Sequence, residues 1–378
     1  MGLGITQSAL WGGFEKVVLN DIKMELINNG AKKIKDGLRK SESKGQLGEG
    51  ITTDALILNL AKEVDLAKAV VDADFIFEVV TEDLKIKQEV FKKLGENAPE
   101  HTVFASNTST IRITELGKAS NRPEQVIGMH FFLPPYRQRG IEIMKGEKTS
   151  DDTMEICMAV GQKLPCLNGK RVIAQLEKES PGFIVNRLLL SGQIYFNWIL
   201  DQAEENGVSF EQIDADAGKL LLMGPCELSD YLGLDTSYNS MKSFEKILSP
   251  DFAPGKVLTK LVSEGNFGKK TGKGFYNWIK GKPRIDRSIK AGLFKTEMMM
   301  AIQLNEGCRL LEEGVVKGYK IIDDIMLNGT GMPGPFSAGK RNYEKWTKML
   351  NKLADQIGKE YLRPCKLLES GNFIKMRK

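Results

Sequence analysis

Over the first 180 residues, short apolar runs alternate with amphipathic stretches, and long helical periodicities take over beyond them. The runs EKVVLND (15–21, ending at Asp21), ADFIFEVV (73–80), HTVFASNTS (101–109), VIGMHFF (126–132) and GIEIM (140–144) are strand-sized and bounded by polar or turn-forming residues. Each predicts a buried strand. Gly2–Trp11, Met24–Leu47 and Leu84–Leu94 carry apolar positions at helical spacing, the Lys-rich face of the second reading as a solvated one. Strand and helix in alternation with short connections predict a parallel, doubly wound α/β sheet. From about Ser180, beginning with PGFIVNRLLLSGQIYFNWILDQAEENG, the pattern turns to helices with few strand signals.

The helical part repeats itself weakly. KLVSEGNF (Lys260 to Phe267) recurs 106 residues later as KLLESGNF (Lys366 to Phe373), and MGPCEL at Gly224 has a counterpart 110 residues later in MPGPFS at Gly334. Two landmarks at similar offsets predict a tandem pair of related domains rather than a solenoid. The expected organisation is an α/β domain over residues 1–180, a helical domain over 181–285 and a second, duplicated helical domain over 286–378.

The first twenty residues carry a nucleotide signature. Glycines at a helix start, the helix, a strand and then Asp21 form the tail of a Rossmann-type βαβ unit, with Gly2 as its last glycine. The first strand and first two glycines of G-x-G-x-x-G belong before Met1, so the expectation is a chain recorded about ten residues late, at an internal Met. MGLGIT also fits the acylation pattern M-G-x-x-x-[ST], but the βαβ reading accounts for the glycines better. No basic residue precedes the apolar ALW, which argues against a secretory signal.

Composition narrows the classes. At 378 residues, 41% hydrophobic and 27% charged, the chain is neither fibrous, wholly disordered nor a disulfide scaffold. No apolar run approaches the ~20 residues of a membrane helix. A net charge of +5 spread along the chain tolerates a polyanionic small molecule without indicating nucleic acid. Five widely spaced cysteines without C-x-x-C suit a reducing cytoplasm and no zinc framework. With only His101 and His130, His-rich metal sites are excluded and the search for a general base is short.

His130 closes the run VIGMHFF just before Leu133-Pro134-Pro135, at the carboxyl edge of an expected parallel strand, where ligands of α/β sheets bind. A lone histidine in an apolar strand is more often a satisfied core residue, and it is this placement that favours catalysis. Glu142, inside the apolar strand GIEIM, needs a charged or protonated partner if buried, and His130 is the obvious one. His101, in the polar segment NAPEH, reads as exposed. The loop Ser106-Asn107-Thr108-Ser109-Thr110 offers hydroxyls and an amide to the same crevice, or simply caps a turn. Asn186, an amide among apolar neighbours, either cross-links helices or meets a substrate oxygen.

The truncated glycine motif, VVLND, FEVVTEDLKIKQEVF, FASNTSTI, GMHFFLPP, PGFIVNR, MGPCELSDYLGLD and GNFGKKTGKGFY, in this order, resemble the signature segments of the 3-hydroxyacyl-CoA dehydrogenase family from Met1 to about Tyr276. The helical repeat resembles the duplicated C-terminal domains of its longer members. The resemblance implies NAD-dependent oxidation of an (S)-3-hydroxyacyl-CoA, 3-hydroxybutyryl-CoA being one substrate, to the 3-ketoacyl-CoA. It makes His130 the general base, Glu142 its orienting carboxylate, and Ser109 and Asn186 donors to substrate oxygens. For the cofactor it implies Gly2, Asp21 at the ribose, Glu82, Lys87, Asn107 and Lys270; for CoA, Lys44 and Ser109. Asp21 would repel a 2′-phosphate, which selects NAD over NADP. Leu133 stands where the family usually has Asn, and Gly37 where it has Ser. A sugar-acid dehydrogenase and a non-catalytic acyl-CoA-binding remnant are the alternatives. The last domain would take the place of a partner subunit's helical domain, in a monomer or a homodimer, with no hydratase segment in the chain.

Overall fold

The computed structural model describes residues 1–218 and 223–378. They fold as two compact units, one of Met1–Val185 with Gly314–Gly334 and Lys378, the other of Asn186–Glu313 with Pro335–Arg377.

The first unit is a Rossmann-like α/β domain. Its elements run α1 (Gly2–Trp11), β1 (Val17–Asn20), α2 (Met24–Glu42), α3 (Thr53–Ile57), β2 (Leu60–Glu63), α4 (Leu66–Val70), β3 (Phe75–Glu78), α5 (Leu84–Asn97), β4 (Val103–Ser106), α6 (Ile113–Ser120), β5 (Val126–Phe131), β6 (Gly140–Lys145), α7 (Asp151–Lys163) and β7 (Val172–Leu176). Local chemistry sets the helix limits. Gly13, at φ +70°, ends the turn after α1, Asp83 accepts from the Ile86 N–H to start α5, and Ser150 accepts from Thr153 to start α7. Helix α2 buries Ile27, Ala31, Ile34 and Leu38 at helical spacing and turns its lysines outward. β2, with the sequence LAKE, has no apolar alternation and was not expected; it lies half-exposed at an edge, where pairing with β1 alone defines it.

Two features of the sheet differ from the expected continuous parallel one. Among the described residues β1 and β2 form a two-stranded piece and β3 to β7 a five-stranded one, in the order β3-β4-β5-β6-β7. β4 and β5 are buried throughout, whereas the side chains of Val17 to Leu19 in β1 and Phe75 to Phe77 in β3 are only half-buried. Both pieces nevertheless share a core of Ile5, Val103, Ile127 and Ile141, against which Val17 and Phe77 pack. The second difference is that β6 runs antiparallel to β5, although parallel to β7. The short segment between β5 and β6, with Pro134 and Pro135, contains no crossover helix, so the chain must turn back.

Residues Gly314–Gly334, expected within a separate third domain, belong to this unit. They carry α14 (Tyr319–Thr330), which packs on β6 and β7. The approach is close because both surfaces are glycine: a Cβ on Gly140 would stand 3.0 Å from Gly329, and one on Gly329 would meet the Phe132 ring at 2.8 Å. The Arg139 N–H donates to the Asn328 carbonyl (3.1 Å) and the Glu177 N–H to that of Val315 (2.8 Å), which fixes the segment at both ends.

The second unit is all-α. Helix α8 (Val185–Glu205) leads into it, followed by α9 (Phe210–Asp216), α10 (Pro225–Leu232), α11 (Leu234–Ile247), α12 (Lys256–Ser263), α13 (Thr296–Glu312), α15 (Phe336–Ile357) and α16 (Lys366–Ser370). Buried carboxylates organise its turns. Asp230 accepts from the N–H groups of Phe275 and Tyr276 and the indole of Trp278, each at 2.9 Å, and so shapes the segment GNFGKKTGKGFY. Burial pushes its carboxyl above the usual range, although these donors pull the other way. Arg187 is buried between Glu306 (2.6 Å) and Glu313 (2.6 Å) and ties α8 to α13. Among the described residues no helix is long and apolar enough to cross a membrane.

Candidate active site

The antiparallel pairing of β5 with β6 sets His130 directly opposite Glu142. Directly paired residues point to the same face of a sheet, so the two side chains meet without any loop to hold them. His130 Nδ1 lies 2.7 Å from Glu142 Oε2, and the carboxylate is fully buried. Its other oxygen, Oε1, accepts the backbone N–H groups of Ile184 and Val185, each at 2.9 Å. These are the first N–H groups of α8, so an ionised Glu142 is stabilised by three donors and a helix N-terminus. An ionised Glu142 keeps the proton on Nδ1, which leaves the Nε2 lone pair facing away from the strand pair. There the Ser109 hydroxyl waits at 3.3 Å.

Two aromatic rings fix the imidazole plane. Phe183 stacks on it with centroids 5.0 Å apart and Phe132 meets it edge-on at 5.2 Å. Phe183 holds a left-handed backbone, φ +56°, next to Gly182 at +76°. For a bulky residue that conformation is costly and marks a functional constraint. Gly128 leaves room for the ring, since a Cβ there would come within 3.0 Å of it. Nothing in PGFIVNR signals this role beforehand, because an aromatic after Pro-Gly reads as core.

The loop after β4 is held as tightly. Glu82 Oε1 accepts the Thr108 hydroxyl (2.6 Å) and the N–H groups of Ser109 (2.8 Å) and Thr110 (3.0 Å). Asn107 Oδ1 accepts the Phe131 N–H at 3.0 Å, clamping β4 to β5 beside His130. Burial would raise the Glu82 carboxyl, but the Thr108 hydroxyl, the Lys87 charge and the two N–H donors outweigh it and hold the group below its ordinary value. A folded-state value below the unfolded one gives stability that is present above about pH 4.3 and lost as pH falls through the folded value. Wild-type protein should therefore melt above Glu82→Gln at neutral pH, with the gap closing below about pH 4. A gap unchanged between neutral pH and about pH 3 would contradict that account of Glu82.

The remaining residues are spread more widely. Gly2 opens α1, whose N-terminus has no side-chain cap; the Gly4 and Ile5 N–H groups donate to the Met1 carbonyl, and those of Gly2 and Leu3 are the ones open to an anion. The crowded glycine is Gly4, where a Cβ would collide with Pro135 at 2.5 Å, a requirement the motif reading passed over. Asp21 follows β1, exposed, with Oδ1 accepting from the Ile22 N–H at 2.7 Å. Uncapped N–H groups at α1 and an exposed acid after β1 are the donor and acceptor set a dinucleotide needs, so these residues fit NAD. Lys44 is exposed in the turn after α2, and Leu133 is exposed beyond β5. Lys87, by contrast, is buried and ion-paired with Glu78. Lys270 belongs to the helical unit, where it pairs with Asp235. Asn186 is the first residue of that unit, half-buried, directly after the N–H groups that Glu142 binds. His101 is exposed and pairs with Asp74 at 2.9 Å.

Residues 1–176 match the model of the 3-hydroxyacyl-CoA dehydrogenase NAD binding domain, and residues 182–278 that of the family's C-terminal domain. The chain is 37% identical to the mitochondrial hydroxyacyl-coenzyme A dehydrogenase of Sus scrofa over 287 residues, 74% of this chain and 88% of that protein. It is 34% identical to the fatty acid oxidation complex subunit alpha of Idiomarina loihiensis over 94% of its own length, and spans about half (51%) of that longer protein. The crystal structure of a 3-hydroxybutyryl-CoA dehydrogenase from Escherichia coli superposes with a TM-score of 0.84 over 100% of this chain and 96% of that one; at 23% identity this speaks for the fold. An (S)-3-hydroxybutyryl-CoA dehydrogenase from Ralstonia eutropha aligns at 30% identity and a TM-score of 0.65, covering 74% of this chain and 95% of that one.

Proposed function

The chain belongs to the 3-hydroxyacyl-CoA dehydrogenase family, and from that premise we propose that it oxidises short-chain (S)-3-hydroxyacyl-CoA thioesters with His130 as the general base. The observation that carries the assignment is the buried His130–Glu142 pair, with Ser109 at the free imidazole nitrogen. NAD, when bound, supplies the hydride acceptor. The chain's own residues do the rest. His130 Nε2 takes the proton of the substrate hydroxyl, and Glu142 stabilises the imidazolium that forms. Ser109 and Asn186 hydrogen-bond the substrate oxygens, and Phe183 and Phe132 keep water from the ring. Asp21, Glu82, Asn107 and the N-terminus of α1 bind the cofactor; Lys44 meets the CoA phosphates as a point charge.

The assay is NADH formation from (S)-3-hydroxybutyryl-CoA, with the (R)-isomer as control. Turnover of the (S)-isomer alone is expected, and saturable binding of the thioester without NADH formation would replace the enzyme by an acyl-CoA binder.

We further infer that residues 181–285 and 286–378 are copies of one helical domain. Equivalent caps support it. Asn197 Oδ1 accepts the Gly255 N–H at 3.0 Å, and Asn305 Oδ1 accepts the Cys365 N–H at 2.8 Å. A side chain at Gly224 would collide with Asp214, and one at Gly334 with Asp323. The second copy standing in for a partner's domain makes a monomer sufficient, which sedimentation equilibrium would test. The free thiols of all five cysteines suit a reducing cytoplasm.

A further inference from the structure

The end of α14 carries two glycines, Gly329 and Gly331, and only one of them serves the turn. Gly331 closes the helix in a left-handed conformation, φ +78°. Gly329 lies inside the last helical turn without a positive φ, where glycine costs up to about 1 kcal/mol against alanine and its conformational freedom goes unused. Something outside the helix has to call for it. The nearest heavy atoms to a Cβ placed there are three consecutive atoms of one ring, Cδ2, Cε2 and Cζ of Phe132, at 2.9, 2.8 and 2.9 Å. Near-equal distances to neighbouring atoms put that Cβ over the face of the ring, not at its rim. Gly140 does not account for this glycine, because it is the missing side chain of Gly140 itself that makes room for the α14 backbone.

The helix is the side that cannot yield. Ile322, Ile325 and Met326 are fully buried, the Arg139 N–H holds the Asn328 carbonyl at 3.1 Å, and Gly140 stands against the Gly329 Cα. Phe132 is therefore the group that would move, and its ring meets His130 edge-on with centroids 5.2 Å apart. Glu142 holds the imidazole at one point, Nδ1, about which the ring could still swing. Phe183 on its face and Phe132 across it close that freedom. We propose that Gly329 is a positioning residue: it seats Phe132, and through that ring sets the plane of the His130 imidazole and the direction of its Nε2 lone pair. A helix from the far end of the chain thus serves the chemistry at the end of β5. The inference rests on the reading of His130 as the general base.

Three variants carry the test: Gly329→Ala, Phe132→Val and the two combined. Valine lacks all three ring atoms that the new methyl would meet. The chain has a single other histidine, the exposed His101, so the Cε1–H resonance of His130 is assigned by one substitution, His101→Gln. Gly329→Ala should shift the His130 resonance and leave that of His101 in place, because the field of an aromatic ring this close depends on its orientation. Turnover of (S)-3-hydroxybutyryl-CoA should fall about tenfold or more, since a base that is misplaced loses its alignment with the reacting proton. In the Phe132→Val background the same alanine should cost less than about twofold in kcat and leave the resonance where Phe132→Val alone puts it. An unmoved His130 resonance in Gly329→Ala, or an equal loss of kcat with and without the ring, would overturn the proposal. Should Gly329→Ala fail to fold, the double variant decides: a restored fold together with a displaced His130 resonance in Phe132→Val bears the proposal out, and failure of either overturns it. A wild-type protein that turns over no 3-hydroxyacyl-CoA would count against the dehydrogenase reading, while the resonances alone would still decide whether Gly329 sets the imidazole.

Discussion

Replacing His130 by alanine is expected to lower kcat by about 10²- to 10⁴-fold, the usual contribution of a positioned general base. The expectation follows from what surrounds the ring. Nδ1 is committed to Glu142 at 2.7 Å, Phe183 is stacked on the ring at 5.0 Å and Phe132 meets it edge-on at 5.2 Å, and Nε2 is the one nitrogen left to take a proton. The other histidine, His101, is exposed beside Asp74 and cannot replace it. A companion substitution, His130→Gln, separates chemistry from packing, since its amide can still donate to Glu142 while offering no basic nitrogen. Both variants should bind NADH near wild-type strength and stay folded by circular dichroism. Turnover within about fivefold of wild type in either one would sink the base assignment.

Glu142→Gln should lower both activity and stability, and that combination is the signature to look for. The carboxylate accepts three donors: the His130 ring on one oxygen, the Ile184 and Val185 N–H groups on the other. A glutamine amide has one accepting oxygen and one donating NH2. Turned one way, the NH2 faces the N–H groups of α8; turned the other, it faces the proton on Nδ1. The first arrangement leaves the two N–H groups without an acceptor and the second forces the proton off Nδ1 or leaves it unpaired, at a cost of about 1–3 kcal/mol. At roughly 2–4 °C per kcal/mol for a unit of this size, the melting temperature should fall by several degrees. Turnover should drop at least about 10²-fold, because the imidazole loses both its tautomer and the charge that stabilises its protonated form. A variant that melts early but keeps its turnover would show that Glu142 serves α8 alone.

What the sequence made legible, and what it did not, follows from range of interaction. Strands β1, β3, β4, β5 and β6 announce themselves through apolar runs, and α1 was read to the residue, since glycines bound it. The need of a carboxylate inside an apolar strand for a partner pointed to His130, yet their direct opposition depends on β6 running antiparallel, a property of sheet assembly. β2 escaped because a half-exposed edge strand needs no alternation, and its pairing with β1 involves residues more than forty positions apart. The placement of α14 on β6 was hidden for a similar reason. Gly140 and Gly329 each look like an ordinary glycine, and only their meeting gives them a purpose. Lys87 is a sharper case: the resemblance implies a cofactor contact, whereas the structure buries it against Glu78, a carboxylate closing the apolar run FIFE.

The division of the sheet bears on how the protein opens. Among the described residues backbone pairing joins β1 to β2 and β3 to β4, and side chains of one core, to which Val17 and Phe77 both add, hold the two pieces together. Asp21 rides on the smaller piece, while His130, Glu142 and the Ser109 loop ride on the larger. Local unfolding tends to follow such seams, with short, half-exposed elements fraying at lower free energy than a buried five-stranded ladder. A dinucleotide reaching from Asp21 to the ends of β4 and β5 would touch both pieces, so its binding would add to the free energy that holds the half-exposed strands β1 and β2 against the rest.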